Sequence, residues 1–112
     1  MTFYHNPRCR KSREALAILE EKGINPEIRL YLEKLLSQKE IKAVLALLKM
    51  NPEDLVRKSE PIFKSDFKGK TLTEAGWIKA MAAHPKLIER PILVNGKKAV
   101  LGRPPENVLE II

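Results

Sequence analysis

The chain has 112 residues, of which 21 are basic and 14 acidic, giving a formal net charge of +7, and 44% of its residues are hydrophobic. A chain of this length and composition folds around one core, which excludes a second domain and extensive disorder. No run approaches the ~18 to 20 consecutive apolar residues of a membrane span and no signal-peptide pattern opens the chain, so we expect a cytoplasmic protein whose positive charge favours anionic partners.

The first part of the chain predicts a strand, a helix and a second strand. Residues Thr2–Tyr4 are β-prone and precede a turn at Pro7. Apolar residues then recur at helical spacing over residues 12–22, before a stop at Gly23. Residues 27–32 alternate polar with apolar side chains, which is the period of a strand with one covered face. Because the two strands are joined through a helix, we expect them to pair in parallel.

The middle of the chain predicts a helical insert over about residues 34–86. Two helices in it begin with a capping-box pattern, in which a hydroxyl residue is followed three positions later by Glu. These pairs are Ser37 with Glu40 and Thr71 with Glu74. Between the two helices we expect a short helix over residues 52–57 and an irregular connection over residues 58–70.

The last part of the chain predicts a β-hairpin and a closing helix. The segments Pro91-Ile92-Leu93-Val94 and Lys98-Ala99-Val100-Leu101 flank the turn pair Asn95-Gly96, a strong hairpin signal. Residues 106–112 predict a helix in which Val108, Leu109 and Ile112 face inward. A parallel pair followed by an antiparallel hairpin predicts an α/β fold with a mixed sheet flanked by helices, which is compatible with a thioredoxin-like architecture.

Cys9 is the only cysteine, which excludes an intramolecular disulfide and a zinc site built from several thiolates. It lies just ahead of the first predicted helix. Four cationic residues accompany it: Arg8, Arg10, Lys11 and Arg13. Cations and helix N-termini stabilise a thiolate. The alternative is an inert buried thiol beside a solvated basic loop, but the position favours a nucleophile.

The spacing around Cys9 argues against two familiar chemistries. A dithiol oxidoreductase has Cys-x-x-Cys, whereas the fourth position here is Ser12. A phosphatase-type anion loop has Cys-x5-Arg, and that position holds Ala15. We therefore expect a single nucleophilic thiolate whose adduct is resolved by an external thiol.

Four separated segments carry a shared pattern: Tyr4-His5-Asn6-Pro7 with Cys9, Ser12-Arg13, Glu89-Arg90-Pro91 and Gly102-Arg103-Pro104. Together, and in this order, they resemble the glutaredoxin-linked arsenate reductase (ArsC) family over nearly the whole chain. The resemblance implies one ArsC-type thioredoxin-like domain over residues 1–112, with a helical insert at about 34–86.

The resemblance also implies roles for individual side chains. Cys9 corresponds to the nucleophile of the family. Three arginines correspond to its oxyanion-binding residues: Arg57, Arg90 and Arg103. Four further residues hold supporting positions around the thiolate: His5, Asn6, Ser12 and Pro91, the last where thioredoxin-like proteins keep a cis-proline. Taken alone, each arginine is as well explained by a solvated surface charge or an ion pair.

The activity implied by the resemblance is arsenate reduction, an oxidoreductase reaction without a metal or bound cofactor. Cys9 would attack arsenate, glutathione would add as co-substrate, and glutaredoxin would reduce the adduct and release arsenite. Three guanidinium groups suit this chemistry, because arsenate, like a phosphate, carries roughly −1.5 to −2 charges near neutral pH and the thiolate adds another. Arginine stays protonated and binds tetrahedral oxyanions through two N–H groups.

Three alternatives remain open. An Spx-like thiol-responsive regulator that binds RNA polymerase shares this fold, although Ser12 argues against its usual Cys-x-x-Cys switch. A thiol reductase of the same fold could act on another substrate, since Arg10 and Lys11 stand where characterised arsenate reductases carry small residues. A nucleic-acid-binding module is disfavoured, because no aromatic residues interleave with the basic runs. The electron donor and the oligomeric state stay open.

Overall fold

The structure is a computed structural model that describes all 112 residues, and they divide into two units. One unit contains residues 1–34 and 90–112, and the other contains residues 35–89. In neither unit does any helix have the length and apolar character that crossing a membrane requires.

A four-stranded sheet forms the centre of the first unit. Its strands are β1 (Thr2–Tyr4), β2 (Glu27–Arg29), β3 (Ile92–Asn95) and β4 (Lys98–Leu101). The spatial order is β2-β1-β3-β4, with β1 parallel to β2 and antiparallel to β3, and β3 antiparallel to β4. This arrangement confirms the mixed sheet expected from the sequence.

Strand β2 is shorter than the predicted residues 27–32. It ends at Arg29 because the next carbonyl, that of Leu30, accepts the N–H groups of Glu33 at 3.0 Å and Lys34 at 2.8 Å, which closes a turn. As an edge strand it also has a neighbour on one side only, and Ile28 remains 41% exposed. The alternating pattern therefore predicted the strand but neither its length nor the exposure of its apolar side chain.

Helix α1 (Arg10–Glu21) begins two residues before the predicted start, with Cys9 as its N-cap. Its buried face carries Ser12, Ala15 and Leu19. The core of this unit joins that face to the sheet and to the C-terminal segment. The fully buried members of this cluster are Phe3, Ala15, Leu19, Leu93 and Val108. The position of Cys9 just ahead of the helix is as the sequence predicted.

The hairpin turn lies one residue later than predicted. Asn95 pairs with Lys98 as the last residue of β3, so the two turn residues are Gly96 and Lys97. Gly96 has a φ of 61°, a left-handed conformation that glycine adopts without steric cost. The Asn95 side-chain amide donates to the carbonyl of Ile111, which ties the strand end to the C-terminal segment.

The C-terminal segment is a 3₁₀ helix over Pro105–Ile111 rather than the predicted α-helix. At about three residues per turn, every third side chain faces the same way, so Val108 is fully buried in line with Pro105. Leu109 and Ile112 are 39% and 45% exposed, so the expectation that they face inward with Val108 was wrong for these two residues.

The second unit, residues 35–89, contains helices α2 (Gln38–Leu48) and α3 (Glu74–Ala83) and no strand. The capping box predicted for α2 is confirmed: the Ser37 hydroxyl accepts from the Glu40 N–H at 3.1 Å, and the Glu40 carboxylate accepts from the Ser37 N–H at 3.1 Å. A short 3₁₀ helix follows each of these two α-helices in the chain, Pro52–Leu55 after α2 and Pro85–Leu87 after α3.

The capping box predicted for α3 was wrong by two residues. The N-cap is Thr73, whose hydroxyl accepts from the Gly76 N–H at 3.0 Å, so Thr71 lies outside the helix. The segment expected to be irregular contains a π-helical turn, Phe63–Phe67. Its two aromatic rings lie 6.3 and 6.2 Å from the ring of Trp77 on α3, and this packing was not visible as a sequence period.

Candidate active site

Cys9 ends a tight loop at the N-terminus of α1. Its N–H donates to the Asn6 carbonyl at 3.0 Å, and its own carbonyl accepts from the Arg13 N–H at 3.0 Å. The Cys9 backbone is extended, as N-cap residues are, and its side chain is half-buried. The first-turn N–H groups of a helix have no intrahelical partners, so this loop places the thiol where the helix favours an anion.

A buried hydrogen-bond network fixes the conformation of the Cys9 loop. Ser12 is fully buried, and its hydroxyl oxygen lies 2.7 Å from His5 Nδ1 and accepts from the Asn6 N–H at 3.0 Å. The Asn6 side-chain oxygen in turn accepts from the Arg8 N–H at 3.0 Å. The structure therefore brings together the three supporting residues that precede or follow Cys9, through contacts among themselves.

This environment favours the neutral form of His5. Burial lowers the pKa of His5 below its usual 6.5, and the positive charge of Arg13 lowers it further. The neutral ring either accepts the Ser12 hydroxyl hydrogen at Nδ1 or donates to it, whereas a protonated ring can only donate. The direction of the Ser12 hydroxyl is thus coupled to the protonation of His5.

The cations around Cys9 do not all act on the thiol. The Arg13 guanidinium donates to the Pro7 carbonyl at 2.8 Å and so braces the loop. Arg10 and Lys11 both turn along the helix towards Glu14, at 3.0 and 3.9 Å, and the Arg10 side chain is 84% exposed. Their charge is partly offset by this carboxylate and partly screened by solvent.

Arg90 and Pro91 lead into strand β3. Arg90 is more than nine-tenths buried, and its Nε atom has no hydrogen-bond partner in the protein. The Arg90–Pro91 peptide bond is cis. A buried guanidinium nitrogen without a partner is uncommon in proteins.

Gly102 brings the segments of Arg90 and Arg103 together against α1. Its N–H donates to the Pro91 carbonyl at 2.8 Å. A Cβ atom at Gly102 would lie 2.7 Å from Pro91 Cγ and 3.4 Å from the Cβ of Ala15 on α1, so only glycine fits without displacement. The sequence places this glycine within a motif but indicates no role for it. A turn that requires glycine would not have revealed its role either, because the Gly102 backbone is not left-handed.

Arg103 follows this contact and is exposed. The Arg103–Pro104 peptide bond is also cis, and the Arg103 carbonyl accepts from the Asn107 side-chain amide at 3.1 Å. Two of the three predicted oxyanion-binding arginines thus lie in the same unit as Cys9, on segments that meet at Gly102.

Arg57, the third predicted arginine, belongs to the unit of residues 35–89. Its Nε donates to the Ser59 hydroxyl at 3.0 Å and lies 4.0 Å from a carboxylate oxygen of Glu89. The two lie in a polar cleft of about 360 Å³. Sequence reasoning attached no role to Glu89 beyond its place in a motif, because a carboxylate beside an oxyanion-binding arginine is not what charge balance predicts.

No group of three His, Cys, Asp or Glu side chains lies close enough together to hold a metal ion.

A family model described as the ArsC family matches residues 4–111. The chain belongs to the ArsC family. The resemblance seen in the sequence motifs is confirmed, and the sheet with its flanking helices is the thioredoxin-like fold of ArsC structures.

Named relatives of this ArsC-family chain span its whole length. An arsenate reductase of Haemophilus influenzae is 47% identical over 98% of this chain and 97% of its own length. The uncharacterized protein YfgD of Escherichia coli K12 is also 47% identical, over 98% of this chain and 94% of its own. The solved structure of an arsenate reductase from Vibrio cholerae is 46% identical, with a TM-score of 0.94 over 100% of this chain and 98% of that one.

Proposed function

We propose that this ArsC-family protein is an arsenate reductase in which the Cys9 thiolate attacks arsenate. The observation that carries the proposal is the position of the only thiol of the chain, which caps helix α1 in the same unit as the buried Arg90, whose Nε atom has no hydrogen-bond partner. A nucleophile at a helix N-terminus and an unused buried cation suit an anionic electrophile. The arsenate reductase names of the Haemophilus and Vibrio relatives support arsenate as that electrophile.

Charge balance assigns the three arginines to the oxyanion. A thiolate and an arsenate repel each other, and this repulsion must be offset before an S–As bond can form. Arg90 and Arg103 supply two cations from the unit that holds Cys9, and we assign Arg57 as the third. Each guanidinium can donate two N–H groups to neighbouring arsenate oxygens.

The first step joins sulfur to arsenic. The Cys9 thiolate forms an S–As bond while one As–O bond breaks, and the departing hydroxyl takes up one proton and leaves as water. Arsenic stays As(V). The chain contributes the nucleophile, the first-turn N–H groups of α1 and the arginine cations, and the His5-Ser12-Asn6 network keeps the loop in place.

The reduction uses two further thiols, which we assign to glutathione and glutaredoxin. Glutathione displaces a second hydroxyl as water and forms a Cys9–As(V)–glutathione adduct. A glutaredoxin thiolate then attacks the glutathione sulfur, a disulfide forms between these two sulfurs, and the electron pair of the broken S–As bond reduces arsenic to As(III). Water hydrolyses the remaining S–As bond, which releases arsenite and restores Cys9. We place the reaction in the cytoplasm, where these thiols are kept reduced.

A coupled assay tests the proposal. Arsenate-dependent oxidation of NADPH is measured in the presence of glutathione, glutaredoxin and glutathione reductase, and we expect turnover that Cys9→Ser abolishes. Arg90→Lys should lower kcat by about 10²- to 10³-fold, the cost of losing one aligned oxyanion donor. Arg29→Lys is the matched control, because Arg29 lies on β2 and donates to the Lys34 carbonyl.

Three outcomes would count against parts of this proposal. Absence of arsenate-dependent turnover with every thiol donor would refute it. Turnover with thioredoxin but not with glutathione and glutaredoxin would keep arsenate as substrate and replace the donor. Retention of RNA polymerase by the immobilised protein, without arsenate turnover, would favour the Spx-like regulator instead.

A further inference from the structure

Backbone hydrogen bonds fix the chain around Arg57. The Arg57 N–H donates to the Leu87 carbonyl at 2.6 Å, and the Arg57 carbonyl accepts from the Glu60 N–H at 3.3 Å. The second bond joins the first and last residues of a four-residue turn, residues 57–60, in which Ser59 is the third residue. The turn brings the Ser59 hydroxyl back to the side chain of Arg57.

The hydrogen bonds of the Arg57 guanidinium are unevenly distributed over its nitrogens. Nε donates to the Ser59 hydroxyl at 3.0 Å. The Glu89 Oε1 atom lies 4.0 Å from the same Nε, which is within ion-pair range but too long for a hydrogen bond. Nη1 is buried and has no hydrogen-bond partner within the protein. The hydrogen bond to Ser59 therefore holds the guanidinium in its orientation.

A guanidinium group can present either of two edges to an oxyanion. One edge carries the hydrogens of Nε and Nη2, and the other carries those of Nη1 and Nη2. Because Ser59 accepts the Nε hydrogen of Arg57, the first edge is already in use. Buried N–H groups are almost always bonded to protein, water or a ligand. The buried Nη1 without a protein partner therefore points to the second edge as the one that a ligand would use.

We propose that Ser59 is a positioning residue for Arg57, which directs the Nη1–Nη2 edge of the guanidinium to the oxyanion. The inference rests on the proposed function, in which Arg57 binds arsenate. By accepting from Nε, the Ser59 hydroxyl restricts rotation of the guanidinium before the anion binds, which lowers the entropic cost of binding. Two parallel N–H groups on one edge match two oxygens of a tetrahedral anion.

NMR of the Arg57 side chain in the full chain tests which edge binds the anion. Titration with sulfate, an unreactive tetrahedral anion, should shift the Nη resonances of Arg57 and leave its Nε–H resonance nearly unchanged. In Ser59→Ala the Nε hydrogen should exchange with water about three- to tenfold faster, as expected for loss of one hydrogen bond. The sulfate Kd, measured by calorimetry, should rise by about the same factor.

Steady-state kinetics with arsenate separate positioning from a merely structural role. Ser59→Ala should lower kcat/KM by about three- to tenfold, whereas Ser59→Thr keeps the hydroxyl and should stay within about twofold of the wild type. Ser65→Ala is the matched control, because it removes an exposed hydroxyl of the same unit that bonds to Ile62 and Asp66. In an Arg57→Gln background, which has no Nε, Ser59→Ala should cause no further loss.

Several results would overturn the inference, and they are separable from failure of the proposed function. Unchanged exchange of the Nε hydrogen in Ser59→Ala would refute it. A sulfate-induced shift confined to Nε–H would assign the anion to the other edge. An equal loss of kcat/KM from Ser59→Ala with and without Arg57 would mean that Ser59 acts independently of it. If the wild type fails to reduce arsenate but sulfate shifts the Nη resonances as expected, the proposed activity falls and the role of Ser59 stands.

Discussion

Replacing Ser12 with alanine removes the hydroxyl at the centre of the network below Cys9. The side chain is fully buried, and its oxygen serves both His5 Nδ1 at 2.7 Å and the Asn6 N–H at 3.0 Å. Ser12→Ala leaves both groups buried without that partner, at a cost of about 1 to 2 kcal/mol each, or roughly 2 to 4 kcal/mol together. For a chain of this length we expect the melting temperature to fall by about 8 to 16 °C.

Thermal unfolding followed by circular dichroism, with urea titration for the free energy, measures this cost. Ser65→Ala is the matched control, because the Ser65 hydroxyl is exposed and its loss should change stability by no more than about 0.5 kcal/mol. A loss below about 1 kcal/mol for Ser12→Ala would refute the reasoning, since two newly unpaired buried groups cannot be that cheap. In that case the Cys9 loop would not depend on the network.

Three other predictions concern pH, packing and capping. The pKa of His5, measured as the midpoint of an NMR titration, should lie below 6.5. The contribution of His5 to the free energy of unfolding should be complete above pH 6.5 and decline as the pH falls below it, because the unfolded chain then binds the proton more readily than the folded one. A midpoint above 6.5 would reverse the sign of this pH dependence. Gly102→Ala should lose about 1 to 3 kcal/mol of stability by urea titration, because its Cβ would lie 2.7 Å from Pro91 Cγ, and an unchanged unfolding midpoint would contradict this. Thr73→Ala should cost about 1 kcal/mol and Thr71→Ala nearly nothing, and the opposite order would restore the cap expected from the sequence.

The elements that sequence reasoning predicted well are those with local causes. The capping box at Ser37 and the position of Cys9 ahead of α1 depend on residues within one helical turn of each other. The parallel first pair follows from the helix that joins the two strands, and this step needs no knowledge of side-chain packing. The hairpin was found through Asn95-Gly96, and its turn was misplaced by one residue because Asn95 still pairs with Lys98 at the end of β3.

The features that sequence reasoning missed depend on partners far along the chain. The 3₁₀ geometry of the C-terminal segment and the π-helical turn that packs on Trp77 have periods other than the 3.6 residues for which the pattern was read. Gly102 has a close-packing role that appears only when Pro91 and Ala15 are in place. The Arg57-Glu89 pair joins residues 32 positions apart. The number of charged residues in the sequence does not indicate which carboxylate lies beside Arg57.

The same network that supports the fold also explains why a single cysteine needs outside thiols. In a Cys-x-x-Cys protein the fourth residue is the second sulfur, whereas here that position is the hydroxyl of Ser12, which is buried and already bonded to His5 and Asn6. It therefore cannot resolve an adduct on Cys9, and any two-electron reduction there must draw both electrons from other molecules. A variant that restores a second thiol, Ser12→Cys, should lose the stability that the network supplies, because a thiol is a weak hydrogen-bond partner for the two groups it would face.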